Sequence, residues 1–362
     1  MLAFVLRRLG VMLLTALALT FIVFALTNLQ PNLEKLAKSE ASVRMSDDAV
    51  RAWLSENGYS GTMISRYGQW LGVLPGWTGA TADGTATGRC VERGVAAEAT
   101  PRFCGILQGD WGQSTVFKKP VLDMLGRALG HTGWLMLAVM LVMVPTALLI
   151  GVLAGMREGS KTDRVLSTAA IATTATPEYV SGVIFIALFA SATAGISPLL
   201  VEWGWLTGRK TLFQGTATSA MDDITFWNFA LPVMTIALYG IGYIARMTRA
   251  SMTEVMTQQY IRTARLKGVG FGQVVMKHAL RNALIAPFTV IMLQFPWLLN
   301  GVVIVETLFN YKGFGWTLVQ AAGNNDIDML LACSVVAVFV VLLTQLISDI
   351  GYVFLNPRIR LS

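Results

Sequence analysis

The sequence predicts an all-α polytopic membrane protein with six transmembrane helices and both termini in the cytoplasm. Three observations carry that expectation. The first is composition: 54% of the 362 residues are hydrophobic and 14% are charged, where soluble domains carry about 25% charged residues. A chain so poor in charge cannot cover its surface with water-compatible groups. The second is that the apolar residues fall in runs of about 20, the length that crosses the hydrocarbon core. The third is where the basic residues stand relative to those runs.

Six runs qualify: Leu9–Leu29, Gly133–Met156, Val165–Ala190, Phe226–Ile244, Ala283–Val305 and Met329–Leu355. The first follows Arg7 and Arg8 and so resembles a signal peptide. It is longer than an ordinary signal core, and no small-x-small cleavage site follows near Asn28-Leu29-Gln30-Pro31, so it reads as a retained helix. With the N-terminus inside, the inner segments hold fourteen basic residues, from Arg7 and Arg8 to Arg358 and Arg360, against Glu158, Asp163 and Glu254. The two shorter outer loops hold Arg209, Lys210 and Lys312 against six acids. This positive-inside bias accounts for the net charge of +7 with no nucleic-acid partner. No internal repeat is apparent.

The expected organisation is an N-terminal tail and first span (residues 1–29), a long periplasmic segment (30–131) and a core of spans two to six (132–362). The periplasmic segment is nearly charge-balanced, with eleven basic and ten acidic residues. On the oxidising side of a membrane Cys90 and Cys104 can pair, which would stabilise a hairpin by roughly 2–4 kcal/mol; two unpaired thiols are the alternative. Cys333, inside an apolar run, reads as a small core residue.

The loop between spans four and five, residues 246–282, is the most informative stretch. Its first part has helical composition, with Tyr260, Ala264 and Lys267 at helical spacing and Arg262, Thr263 and Arg265 around them. Gly268 and Gly270 then break the helix, since glycine reaches positive φ cheaply, and a second short helix from about Phe271 leads into span five. Such a basic helix can lie on anionic headgroups, serve as a solvated linker, or dock into a groove on a cytoplasmic partner.

The pattern Thr263-Ala264-Arg265-x-Lys267-Gly268, followed by His278-Ala279-Leu280-Arg281-Asn282-Ala283, resembles the inner loop of peptide-type ABC importer permeases. Gly109-Asp110-Trp111-Gly112-Gln113-Ser114 resembles that family's segment before span two. Glu306-Thr307-Leu308-Phe309 with Gly313-x-Gly315 resembles its stretch after span five, and Asn356-Pro357-Arg358 its Asp-Pro-Arg ending, with Asn for Asp. The long segment after span one is similar to the first permease of the heterodimeric pair. Two features depart from the family: Pro31 is followed by Asn32-Leu33 where Pro-Gly-Asp-Pro is usual, and the stretch around residues 76–106 looks like an insertion.

The resemblance implies a type I ABC importer permease in a bacterial inner membrane, translocating peptides or similar small solutes. Sugars, nickel chelates and peptide antibiotics are alternative cargoes. It implies a second permease subunit, two cytoplasmic ATP-binding subunits, a periplasmic solute-binding protein and surrounding membrane lipid as partners, with no cofactor. It makes Tyr260, Arg262, Thr263, Ala264, Arg265, Lys267 and Gly268 the element that couples to the ATPase, with Ala264 small because a docked helix leaves little room.

Polar breaks inside spans are costly unless they face protein or water. Thr174 and Glu178 in span three, and Gln294 and Asn300 in span five, are therefore candidate pore-lining residues, with Thr173, Thr176, Pro177 and Pro296 beside them. Ordinary interhelical hydrogen bonding and proline kinks account for such residues equally well. His131 and His278 lie far apart in the topology and make no metal site. No G-x-x-x-x-G-K-[ST] phosphate loop is present, which excludes a P-loop ATPase. A secondary transporter driven by an ion gradient remains the alternative transport class, although such proteins often carry repeats.

Overall fold

A computed structural model describes residues 2–80, 86–91 and 101–355. It is helical apart from one short hairpin. Among the described residues four helices are individually long and apolar enough to cross a membrane: α1 (Leu2–Thr27), α5 (Val121–Gly155), α9 (Phe226–Met256) and α15 (Ile327–Leu355). The third and fifth expected spans are built from bent pairs, which brings the number to six if each pair is one span.

The third span is α6 (Lys161–Ala175) and α7 (Glu178–Phe189), meeting at 106°. The break has a local cause. Pro177 lacks an N–H and disfavours the α region for its predecessor, and Thr176 accordingly takes φ −93°, ψ 120°. The fifth is approached through α11 (Phe271–Gln273), a π-helical turn (Val274–Ala279) and α12 (Leu280–Ala283), bent by 49° from α13 (Ile285–Leu308). Hydropathy finds only the stretch that needs lipid. It therefore misses that α5 starts twelve residues before Gly133 and α9 runs twelve past Ile244, where polar residues continue the helix.

The chain divides into two compact units, residues 1–127 with 317–340, and residues 128–316 with 341–362. In the first, α1 is followed by α2 (Gln30–Glu40), α3 (Asp47–Glu56) and α4 (Met63–Leu71). Ser46 caps α3 by accepting from the Ala49 N–H, with Asp47 and Asp48 in the first turn, and Thr62 caps α4 by accepting from Ser65; side-chain oxygens there satisfy N–H groups that a helix start leaves open. Their apolar faces close on Phe24, Leu33, Leu36, Val50, Leu54, Trp70, Ile327 and Leu331. Each such side chain from α2, α3 and α4 contributes roughly 1.5–3 kcal/mol by leaving water. Strands β1 (Thr78–Ala80) and β2 (Ala86–Gly88) pair antiparallel, Thr78 opposite Gly88. Cys90 and Cys104 are joined by a disulfide with Cα atoms 5.5 Å apart.

The segment Gly109 to Ser114 acquires a physical explanation in this unit. The Ser114 hydroxyl donates to the buried carboxylate of Asp326, which also accepts from the Met329 N–H and so caps α15. Gly112 has φ +77° and its Cα lies against Asp328, so a side chain there would be both strained and obstructed.

In the second unit α9 is the central helix and packs against α6, α7 and α13. Small residues set the approach. A Cβ at Gly242 would overlap Thr173 and the Ala170 carbonyl of α6, and one at Gly182 of α7 would overlap Leu308 of α13, the close packing expected where helices associate in lipid. α8 (Ser197–Glu202) lies in the loop before α9. Between α13 and α14 (Phe314–Asn324), the buried Glu306 carboxylate accepts from the Thr132 hydroxyl and the Trp316 N–H. A Cβ at Gly313 would collide with Glu306, and one at Gly315 with Val303. This accounts for the spacing of the Glu306…Gly313-x-Gly315 pattern. The Asn356-Pro357-Arg358 ending lies outside the described residues.

Candidate functional site

The inner loop folds as helix, glycine turn, helix. α10 (Gln259–Leu266) ends on Lys267, and Gly268 takes φ +77°. The Val269 N–H donates to Ala264 O (3.2 Å) and the Gly268 N–H to Arg265 O (3.0 Å). These two bonds form a Schellman cap, in which glycine supplies the left-handed residue.

α10 has two unlike faces. Ile261 and Ala264 (8% exposed) point into a cluster with Met252, Val274, Val275, Ala279 and Ala283, to which Val269 adds. The other face carries Arg262, Thr263, Arg265, Leu266 and Lys267, all exposed, Leu266 to 80%. Tyr260 lies at the edge, where its hydroxyl accepts from Asn282 Nδ2 at 2.9 Å and ties α10 to α12. Within this chain the space at Ala264 is limited by its own α9, π turn and α12. The basic face extends through Arg157 and Arg265, whose guanidiniums stand 5.0 and 5.8 Å from the Phe271 ring. Met276, next along, is also exposed.

An ion pair that the sequence did not single out anchors this platform. The Asp163 carboxylate at the start of α6 is buried and accepts from Arg249 of α9 through Nε (2.5 Å) and Nη2 (2.8 Å). It also accepts from the Gly159 N–H and the Ser167 hydroxyl, each at 2.9 Å. The only available signal was that Asp163 is one of three acids on a basic surface. Ser251 adds a bond from α9 to the Ala283 carbonyl of α12, at 2.8 Å.

The polar residues of the broken spans separate into two groups. Thr173, Thr174 and Thr176 donate to carbonyls of their own helix, Thr174 to Ala170 and Ile171. Their hydroxyls are satisfied locally. Glu178 opens α7, a helix start that suits a carboxylate, and lies against α13, since a Cβ at Gly301 would meet its carboxylate. Gln294 is buried on α13. The structure thus brings Glu178 to the fifth span and leaves Thr174 bonded within α6. The side chain of Asn300 lies outside the described residues.

Residues 147–361 match the family described as binding-protein-dependent transport system inner membrane component. The chain is 34% identical over 255 residues to the probable peptide ABC transporter permease protein y4tP of Sinorhizobium fredii, covering 70% of this chain and 77% of that one. It is 33% identical over 254 residues to the glutathione transport system permease protein GsiC of Escherichia coli strain K12, covering 70% and 76%. To GsiC of Pectobacterium atrosepticum it is 34% identical over 255 residues, with the same coverage.

Proposed function

From the premise that this chain belongs to the family of binding-protein-dependent transport system inner membrane components, we propose that it is the first of two permease subunits in an importer of peptides or similar small solutes. The chain is a membrane-embedded permease subunit of an ABC transporter. Its partners in this reading are a second permease, two cytoplasmic ATP-binding subunits that carry out all the hydrolysis, and a periplasmic solute-binding protein that delivers cargo. Both termini and the 246–282 loop are cytoplasmic.

The observation that carries the reading is the division of α10. Its inward face is filled by its own chain, while Leu266 and the surrounding cations remain exposed on a capped helix. An apolar knob ringed by basic side chains on a fixed platform suits the groove of an acidic-rimmed partner. Motion of that partner reaches α9 through the Ile261–Ala264 cluster and reaches α6 through the Asp163–Arg249 pair. Glu178, at the bend that meets α13, stands on the solute path in this reading. The switch requires contacts that differ between inward-open and outward-open states.

The test is uptake by the complete transporter in proteoliposomes. Leu266→Asp removes an apolar anchor worth roughly 1.5–3 kcal/mol and should reduce ATP-driven uptake more than tenfold, at ~1.4 kcal/mol per decade, while leaving insertion unchanged. Uptake that follows a proton gradient without ATP would favour the secondary-transporter alternative and sink this one.

A further inference from the structure

The first unit contains a cavity of about 70 Å³, several times the ~10–15 Å³ that one water requires. Arg66 of α4 and Arg89, just after β2, both line it, together with Tyr59, Trp70, Trp77 and Asp328. Nε of each arginine is buried and has no hydrogen-bond partner among the described residues. A guanidinium carries five N–H donors and no acceptor. Arg66 places Nη1 on Asn28 Oδ1 at 3.2 Å and Nη2 against the Met63 sulfur at 3.5 Å. It makes no ion pair with a carboxylate among the described residues. Arg89 Nε stands 4.0 Å from Asp110 Oδ2, beyond hydrogen-bond reach.

Arg89 shares the cavity with the Asp328 carboxylate and stands near Asp110, whereas Arg66 has no carboxylate beside it among the described residues; the open Nε donors of both are costly to leave unmatched. Burial lowers Arg66 from its ordinary value, as expected of a guanidinium short of counter-charge. A planar carboxylate fits the donor fork of arginine better than a spherical anion does. Tyr59, Trp70 and Trp77 add the aromatic wall that small-molecule sites use for the apolar part of a ligand.

We propose that this cavity binds the carboxylate of a small organic acid or amino acid, with Arg66 and Arg89 donating to its oxygens and Trp77 beside its carbon skeleton. The site is separate from the inner loop and does not depend on the transport reading.

The experiment uses the full chain in lipid nanodiscs with fluorotryptophan incorporated, the Trp77 fluorine resonance being assigned through Trp77→Phe. Acetate, glycine, glycinamide and inorganic phosphate are titrated separately. Acetate and glycine should move the Trp77 signal saturably, and glycinamide should not. Arg66→Gln should raise the half-saturating acetate concentration at least tenfold, with the remaining tryptophan signals in place. No saturable shift with acetate or glycine would mean that water alone fills the cavity. Equal response to glycinamide, or phosphate saturating at the acetate concentration, would overturn the carboxylate assignment. If Arg66→Gln fails to insert, the comparison of glycine with glycinamide on the unaltered chain still decides.

Discussion

Removing either partner of the Asp163–Arg249 pair should be destabilising, but unequally. Asp163 has 3% of its side chain exposed and Arg249 has 32%. Arg249→Ala leaves a carboxylate in the interior with only Gly159 N–H and Ser167 to serve it, and breaking a buried pair in this way costs about 3–5 kcal/mol. Asp163→Asn leaves a guanidinium that can turn to water, and its amide oxygen still accepts one bond, so the loss should be about 1–3 kcal/mol. The pH dependence adds a second readout: the pair needs the ionised carboxylate, so its contribution should be constant from about pH 5 to 8 and be lost in acid. Asp163→Asn, which cannot ionise, should lack that acid loss. Thermal unfolding of the purified chain in detergent at several pH values measures both. Equal losses, or a larger loss for Asp163→Asn, would show that the pair is not held by the buried carboxylate.

Gly268→Ala should cost about 1–2 kcal/mol from the left-handed backbone alone, because no atom lies within 4 Å of a Cβ at that position; Gly268→Asn should recover part of it, and unfolding midpoints check the order. Cys90 and Cys104 should resist alkylation until reductant is added, and Cys104→Ser should cost roughly 2–4 kcal/mol in unfolding of the intact chain. Reporter fusions after Lys161 and Lys267 should report cytoplasm and a fusion near Thr216 the outside; an external signal at Lys267 would remove the proposed docking face from reach of any ATPase.

What the sequence revealed and what it hid divide along a physical line. Hydropathy over 20 residues and the sign of loop charges are properties of the chain read in order, so the spans were legible without packing. Gly268 was legible for the same reason: a helix-forming run that meets glycine stops there, and the positive φ follows. The break at Pro177 was visible as a residue, while its 106° angle depends on how α6 and α7 each lie on α9. Pairs distant in sequence were not legible. Asp163 and Arg249 are 86 residues apart, and Ser114 and Asp326 are 212 apart; in one dimension each is only a polar residue near the end of an apolar run.

Ala264 shows what a small residue on a helix leaves open. Small size at a helix face signals close approach, but it does not say to what. Here the approach is to Ile261's own neighbours, Val274, Val275 and Ala279, so Ala264→Glu would overpack the chain's interior and bury a charge whether or not an ATPase ever docks. Loss of transport in that variant would therefore be expected under every reading of the loop. The residue that discriminates is Leu266: it is 80% exposed and belongs to no buried cluster among the described residues, so replacing it should leave the fold intact and change transport only if the exposed face is used.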